Sequence, residues 1–357
     1  MPGTCGGGLN EMDNPYAPSH APMNEPPLRE QRGGRRLPFS GWWPVCFGAF
    51  AGLLLRLIFW GLPGEAYSAM LGSFIMGSPI LVGAVTVYLA ELVERRTWAY
   101  YFTAPMIATA LYVVGSLALM IEGWICAIVI IPMFALLGGL SGLAMGAICR
   151  MTHWPRQQVV SCIAVLPLLG GAFEHRVPSA DRVRSQTREM FVAAPPEAVW
   201  RELVDTHDIR PGEVESAWMY RIGVPLPSAG TGEFRDGEHL RHITMGRGVK
   251  FDQVAVEWHE NQRVSWRYRF SDDSFPPGAL DDHVRIGGQY FDVVGSSFEL
   301  TPEGAGTRVT TNMRYRVSTH FNWYAGPVAD LLVGDFLETI LGFYGRRAEG
   351  PQEAASP

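Results

Sequence analysis

The sequence predicts two structural classes in one chain: N-terminal transmembrane α-helices, then a C-terminal α+β unit in which a curved antiparallel sheet surrounds one long helix. Apolar runs of membrane-spanning length fill residues 41–173. Apolar and polar residues then alternate with the period of two that is typical of strands, between residues 182 and 317. The last run, Trp323–Arg347, has apolar residues at helical spacing.

These patterns also predict the domain boundaries. We expect a disordered tail over residues 1–40, which are rich in Gly, Pro, Asn and Arg. A membrane domain of four to five helices should follow over 41–173. A soluble domain should occupy 174–349, and a short disordered tail 350–357.

Five apolar runs form the predicted membrane domain. Four of them reach the length of about 20 residues that crosses a bilayer: Trp42–Leu62, Ala66–Leu92, Trp98–Ile121 and Trp124–Ile148. The fifth, Gln157–Phe173, is near the lower limit. Tryptophan and tyrosine occur at several ends of these runs, which is typical of residues at the membrane interface.

Three polar or small features of these runs lead to further expectations. Gly138, Gly142 and Gly146 recur every four residues and predict close packing of the fourth helix. Arg56 lies near the end of the first run, where we expect it to extend toward water. Glu122 falls between two runs and is expected to be hydrated.

Arginines predict the orientation of the membrane domain. They precede the first run and follow the second and fourth, at Arg29, Arg32, Arg35, Arg36, Arg95, Arg96, Arg150 and Arg156. By the positive-inside rule the N-terminus should be cytoplasmic. If the fifth run crosses, as we favour, the soluble domain lies outside the cytoplasm; if it re-enters, the domain is cytoplasmic. The expected location is a bacterial plasma membrane.

Composition limits the partners and cofactors. Residues 174–357 contain 20 Lys and Arg against 27 Asp and Glu, a net charge of −7. They have no basic patch with interleaved aromatics, so nucleic acid is not an expected partner. All five cysteines precede Glu174 and lack metal-ligand spacing. We therefore predict no metal site and no cofactor, and the absence of disulfides in the soluble part leaves its compartment open.

The order of elements in the soluble part carries a family resemblance. A strand leads into 195-PPEAVWREL-203, where proline and Glu197 suit a helix start. A meander follows, with the hairpin 299-ELTPEGAGTRVTTNMRYRV-317, and then the long helix. This order, over about Arg182–Glu349, resembles the SRPBCC superfamily, the START-like helix-grip fold that includes polyketide cyclase/dehydrase and lipid-transport domains. The resemblance implies a pocket between sheet and helix, and no single catalytic signature.

An unusual loop and an acidic residue are candidates for function. The loop Ser271–Gly288 joins two strands and is long for a connection without secondary structure. It could gate a pocket, dock on the membrane domain, or be a plain surface loop. Asp292 shares strand parity with Tyr290, Val294 and Phe298, so we expect its carboxylate on the concave face. There it would orient a ligand, act as an acid or base, or accept a structural hydrogen bond.

Aromatic residues and histidines complete the candidate site. Residues at strand spacing or in short helices could line the pocket or form plain core: Trp218, Tyr220, Trp258, Trp266, Tyr268, Tyr290 and Phe298. His242, and with it His239, lies on the strand-like stretch Glu238–Met245 and is a candidate base or a surface residue.

Three functions fit this sequence. We favour a membrane-anchored domain that binds an apolar or amphipathic small molecule, a lipid or an aromatic compound, close to the membrane lipids. The second is a cyclase, aromatase or dehydratase that uses Asp292 and His242 in the same pocket. The third is a non-catalytic module that binds a protein partner.

Overall fold

The computed structural model describes residues 41–62, 65–152, 156–281 and 283–350. The tails predicted to be disordered, 1–40 and 350–357, lie outside the described residues except for Gly350. The arginines that precede the first apolar run lie outside them as well.

Five helices form the N-terminal half: α1 (Trp43–Ile58), α2 (Gly72–Val93), α3 (Trp98–Ala118), α4 (Trp124–Met151) and α5 (Arg156–Phe173). Four segments are long and apolar enough to cross a membrane: Gly72–Val93, Trp98–Ala118, Trp124–Met151 and Gln158–Arg176. These helices indicate membrane association. The first run was predicted to be of spanning length, but its helix has only 16 residues.

The glycines of α4 permit the close helix packing that their spacing predicts. A Cβ added to Gly142 would lie 2.2 Å from the carbonyl oxygen of Tyr101 on α3. One added to Gly138 would lie 2.6 Å from Cγ2 of Thr109, also on α3. Only glycine allows the two backbones to approach this closely.

The expectations for Arg56 and Glu122 were wrong. The Arg56 side chain does not extend into water but is buried, and its Nε lies 2.5 Å from Oε1 of Glu122. The Glu122 side chain is 16% exposed. The two charges are separated in sequence by two helices, so no local pattern indicated that they pair in the fold.

The C-terminal half is a seven-stranded antiparallel sheet around a long helix, as predicted. The sheet order is β1-β7-β6-β5-β4-β3-β2. Its strands are β1 (Arg182–Val192), β2 (Pro227–Arg235), β3 (Glu238–Met245), β4 (Lys250–His259), β5 (Arg263–Arg269), β6 (Phe291–Glu303) and β7 (Gly306–Val317). Three short helices join β1 to β2: α6 (Pro196–Val204), α7 (Pro211–Val214) and α8 (Trp218–Arg221). The last helix is α9 (Asn322–Glu349).

Strand β7 follows its predicted pattern without interruption. Its alternate residues Val309, Thr311, Met313, Tyr315 and Val317 are all buried. Strand β4 does not, because a register shift lies between Ala255 and Glu257 opposite β5. Val256, which an uninterrupted alternation would place on the same face as the buried Val254, is therefore exposed.

Helix α9 belongs to both halves. Phe321, Tyr324 and Ala325 pack in the same apolar cluster as the N-terminal helices. From Val333 onward the helix contributes to the core beneath the sheet. Pro327 lies between these two parts. In the predicted apolar stripe, Ile340 and Phe343 are buried, Val328, Leu332 and Phe336 are partly buried, and Leu331 is exposed.

Polar contacts join the two halves at one end of the helices. The Glu174 carboxylate accepts the backbone N–H groups of Gly72 and Ser73 at 2.8 and 2.7 Å, in the first turn of α2. The Tyr324 hydroxyl donates to the carbonyl of Val129 on α4 at 2.6 Å. The C-terminal half therefore contacts the ends of α2 and α4 that lie nearest to it.

Candidate functional site

A cavity of about 150 Å³ lies between the sheet and α9. Its walls are mostly apolar and come from the sheet, α8 and the second half of α9. The lining includes Met219, Tyr220, Val224, Arg241, Gln253, Tyr268, Ile286, Phe291, Val293, Ser296, Phe298, Val333 and Tyr344. The described lining contains no carboxylate and no histidine. An apolar space with a few polar groups is typical of a small-molecule site.

Arg241 is the charged group of this cavity. It is 5% exposed, and β3 directs it inward together with Ile243 and Met245. Its guanidinium donates to the Tyr344 hydroxyl at 2.8 Å. It also donates to the Thr206 hydroxyl, the Gly230 carbonyl and the Gln253 amide oxygen at 3.3–3.4 Å. All these partners are neutral, so within the described chain the cation is buried without a carboxylate beside it.

Tyr220 and Tyr268 of the cavity are neutral hydroxyls at physiological pH. Burial raises the pKa of Tyr220 far above its usual value. Burial also raises the pKa of Tyr268, against hydrogen bonds with Ser296 and Gln253 that lower it. The Tyr268 and Ser296 hydroxyl oxygens are 3.1 Å apart. These groups can donate or accept hydrogen bonds but do not supply a charge opposite to Arg241.

A second apolar cavity, of about 180 Å³, lies between α9, the loop after β5 and the first turns of α4. Its lining includes Cys126, His283 and Tyr290. Four residues line both cavities: Met219, Val224, Phe291 and Val333. The two spaces are therefore neighbours that share one side-chain wall, and the second adjoins the membrane helices.

The structure brings some of the predicted site residues to these cavities. Tyr220, Tyr268 and Phe298 line the first, and Tyr290 lines the second. Trp218 is exposed on α8 and lines neither. Trp258 and Trp266 border a separate depression on the sheet, where the Trp258 ring stacks on His239 with centroids 3.8 Å apart.

The expectation that Asp292 faces the concave side was wrong. A register shift between Val293 and Gly295 interrupts the alternation of β6. Beyond the shift Ser296 and Phe298 face the cavity, whereas before it the inward residues are Phe291 and Val293. Asp292 lies between those two and is absent from the lining. Its Oδ1 accepts the backbone N–H of Gly287 at 2.9 Å, which is the structural role considered for it.

His242 also lies away from the cavity. Its Nδ1 is 2.7 Å from Oδ1 of Asp252, and its Nε2 is 2.8 Å from Oε2 of Glu233. These hydrogen bonds raise its pKa above the usual value, the Glu233 bond contributing most, although partial burial opposes them. Asp292 and His242 are therefore not positioned to act together in the cavity.

Sequence reasoning missed Arg241. The alternation of β3 places Arg241 with Ile243 and Met245, so an arginine on an otherwise apolar face was the available signal.

The loop Ser271–Gly288 was predicted more closely. Ile286 borders the first cavity, His283 and Val284 border the second, and Asp281 packs against Gly123 at the start of α4. Of the three readings of this loop, docking on the membrane half agrees with these contacts.

No protein-family model matches the chain, and no curated protein matches it. Solved structures resemble about half of it. A protein from Thermus thermophilus is 18% identical, over 46% of this chain and 97% of that one, with a TM-score of 0.30. The Zhui aromatase/cyclase from a Streptomyces species is 11% identical, over 49% and 100%, with a TM-score of 0.30. A truncated norcoclaurine synthase from Thalictrum flavum is 14% identical, over 47% and 94%, with a TM-score of 0.27.

Proposed function

We propose that this protein is a membrane-associated, SRPBCC-type binding protein for a small amphipathic molecule whose anionic head pairs with Arg241. The observation that carries the proposal is the buried guanidinium of Arg241, which has only neutral partners among the described residues. A buried charge without a counter-charge is unfavourable. A ligand carboxylate would supply that charge and could accept a charge-assisted hydrogen bond from the remaining Nη1 N–H of the guanidinium.

The apolar part of the ligand follows from the walls and size of the cavities. An apolar cavity of about 150 Å³ is large enough for benzene. Each of the two cavities, of about 150 and 180 Å³, therefore suits one ring or a short acyl segment. Because they share a wall and the second adjoins α4, a longer chain could extend from the membrane helices toward Arg241.

The lining of the first cavity favours binding over acid–base catalysis. The two residues proposed from sequence for an enzyme, Asp292 and His242, are outside the lining of both cavities. What faces the first cavity is a cation, an amide and neutral hydroxyls, which can hold and orient an anion. A proton-transfer step would need a group that titrates near neutral pH.

Calorimetric titration of the full-length protein in detergent tests the proposal. Octanoate has a short acyl chain and carries the anionic head, whereas 1-octanol has a chain of the same length and no charge. A hydrogen bond to a charged group contributes about 1.5–3 kcal/mol. We therefore expect octanoate to bind about 10- to 100-fold more tightly than 1-octanol. Myristate, which is too long for one cavity, should bind only if both are used.

Matched variants locate the binding site. Arg241→Met replaces the cation with an unbranched apolar side chain. This variant should lose the preference for octanoate. Asp292→Asn is the control, since Asp292 lies outside both cavities, and should bind octanoate like the wild type. Equal affinity for octanoate and 1-octanol in the wild type, or an unchanged preference in Arg241→Met, would refute the role of Arg241. A loss of octanoate binding in Asp292→Asn would contradict the placement of Asp292 outside the binding site.

A further inference from the structure

Three potential metal ligands meet where the loop after β5 contacts α4. Glu122 lies just before α4, Cys126 lies in its first turn, and His283 belongs to the loop. One ligand atom from each lies within 4.8 Å of the other two. In a tetrahedral zinc site neighbouring ligand atoms are about 3.3–3.8 Å apart. Small side-chain movements would therefore close the three residues around one ion.

Two buried polar atoms in this cluster, Nδ1 of His283 and Oδ2 of Asp281, make no hydrogen bond of good geometry among the described residues, although Nδ1 lies close to Oδ1 of Asp281 and the Cys126 thiol lies beside the Asp281 carboxylate. The Asp281 side chain is only 7% exposed. Its other oxygen, Oδ1, accepts the backbone N–H of His283 at 3.0 Å. Buried polar atoms nearly always have well-formed hydrogen bonds, so two atoms of this kind in one cluster point to a missing ligand.

The remaining geometry leaves room for that ligand. Oε1 of Glu122 is occupied by Arg56, but Oε2 lies 3.9 Å from the unpartnered Nδ1 of His283. The Nδ1 atom is also 3.2 Å from Oδ1 of Asp281. The second oxygen of Glu122 and the Nδ1 atom of His283 therefore face each other across a gap longer than a hydrogen bond.

We propose that Glu122, Cys126 and His283 bind a zinc ion, with Asp281 as a fourth ligand or as the partner that orients His283. Thiolate, imidazole and carboxylate are the three ligand types of zinc sites. Calcium and magnesium prefer oxygen ligands alone. The charges also agree: two carboxylates and a Cys126 thiolate, offset by Arg56, leave two negative charges for a divalent ion. Binding would release the thiol proton of Cys126 to solvent.

Such an ion would fix the loop to the membrane half. Cys126 and His283 both line the second cavity, so the ion would hold two sides of that cavity together. The ligands come from segments far apart in sequence. For that reason the cysteine spacing did not predict the site, and a metal there would correct the expectation of none. This inference is independent of the identity of any small-molecule ligand.

Cobalt spectroscopy tests the site directly. Full-length protein in detergent would be stripped with a chelator and titrated with Co²⁺, then with Zn²⁺. We expect one Co²⁺ per chain, visible bands of a tetrahedral complex and a near-ultraviolet thiolate-to-cobalt band, all lost when Zn²⁺ is added. The Cys126→Ser variant should lose the thiolate band. Cys162→Ser, at an exposed cysteine of α5, is the matched control and should keep it.

Two further variants keep the test decisive if Cys126→Ser folds poorly. His283→Gln should abolish tight binding of Co²⁺, and Asp281→Asn, with all three ligands intact, should weaken it about 10- to 100-fold. Folding of each variant would be checked by gel filtration and near-ultraviolet circular dichroism. The proposal is overturned if the wild type binds no more Co²⁺ than Cys126→Ser, or if the thiolate band persists in that variant.

Discussion

His242 connects three neighbouring strands on the outer face of the sheet. It bonds to Glu233 on β2 and to Asp252 on β4 from its own position on β3. Because both partners are carboxylates, the imidazolium form is favoured in the fold, and the pKa of His242 is raised. A group with a raised pKa in the folded state stabilises the fold fully below its unfolded pKa, about 6.5 for histidine. This stabilisation is lost as the pH rises through the folded value.

We therefore expect His242→Gln to lower thermal stability more at pH 5.5 than at pH 8.5. The side chain is 37% exposed, so the free-energy difference at low pH should be no more than about 1 kcal/mol. Melting temperatures of wild type and variant in the same detergent, at both pH values, give the comparison. Glu233→Gln removes the first partner and should show a reduced pH dependence too. A loss of stability that is equal at both pH values would contradict this account.

At the residue scale, the sequence indicated which types of residue line the site better than it indicated the face on which each side chain lies. Tyr220, Tyr268 and Phe298 lie where strand and helix spacing placed them, at the first cavity. Asp292 does not, because parity is counted along an uninterrupted strand and β6 is interrupted beyond it. Arg241 could not be recognised as a buried cation, since its neutral partners come from four separate segments.

At the scale of elements, the packing of α3 on α4 depends on backbone contact at Gly142. A methyl group there would lie 2.2 Å from the carbonyl oxygen of Tyr101, which cannot move without displacing α3. Overpacking of this kind costs about 1–3 kcal/mol. We expect Gly142→Ala to lower the melting temperature of the protein in detergent.

Gly115→Ala on α3 is the matched control for that variant. Its added methyl group would lie 3.2 Å from Cδ1 of Leu53, a flexible side-chain end that can adjust. The control should therefore melt close to the wild type. Equal destabilisation by the two substitutions would contradict a specific effect of the backbone contact at Gly142.

Element type and order could be predicted because each follows from a local period. The strands, the hairpin between β6 and β7 and the long α9 are all present. Register shifts in β4 and β6 could not be predicted, since an extra residue leaves the composition of a strand unchanged. The shortness of α1 was missed because its apolar run continues through Leu62, whereas Gly61 pairs with Ser68 and the helix ends before it.

At the scale of the whole molecule, Arg96 and Arg150 lie at the ends of the helices that are opposite to the C-terminal half. Arg150, at the end of α4, donates to the carbonyl of Arg96 in the turn between α2 and α3 at 2.6 Å. The C-terminal half contacts the other ends, through Gly72 and the cluster at Glu122. If the arginine-rich end is cytoplasmic, the C-terminal half lies on the other side of the membrane.

Reporter fusions test this orientation. Alkaline phosphatase fused after Pro357 should be active, and green fluorescent protein at the same position should be dark. Fusions after Arg96 should give the reverse pair of results. Bright fluorescence after Pro357 would place the C-terminal half in the cytoplasm and would mean that α5 does not cross.

How the two halves meet could be predicted only in one respect, the docking of the loop Ser271–Gly288 on the membrane half, which was one of three alternatives. Hydrophobic periodicity reports which face of one element is buried, and not against what. The pairing of Arg56 with Glu122, the docking of Asp281 on Gly123 and the shared wall of the two cavities all join segments that are distant in sequence. The contacts of Glu122 and Asp281 are those on which the proposed metal site depends.

The course of α9 through both halves has a mechanical consequence. A helix of 28 residues is a rod about 42 Å long. Pro327 removes one backbone hydrogen bond near its start, so bending concentrates between the turn held by the membrane helices and the turns that border the cavities. A bound molecule that displaced the C-terminal part of α9 from the sheet would rotate that part of the helix about Pro327. In that case, filling of the cavities would be coupled to the turn of α9 that packs against the membrane helices.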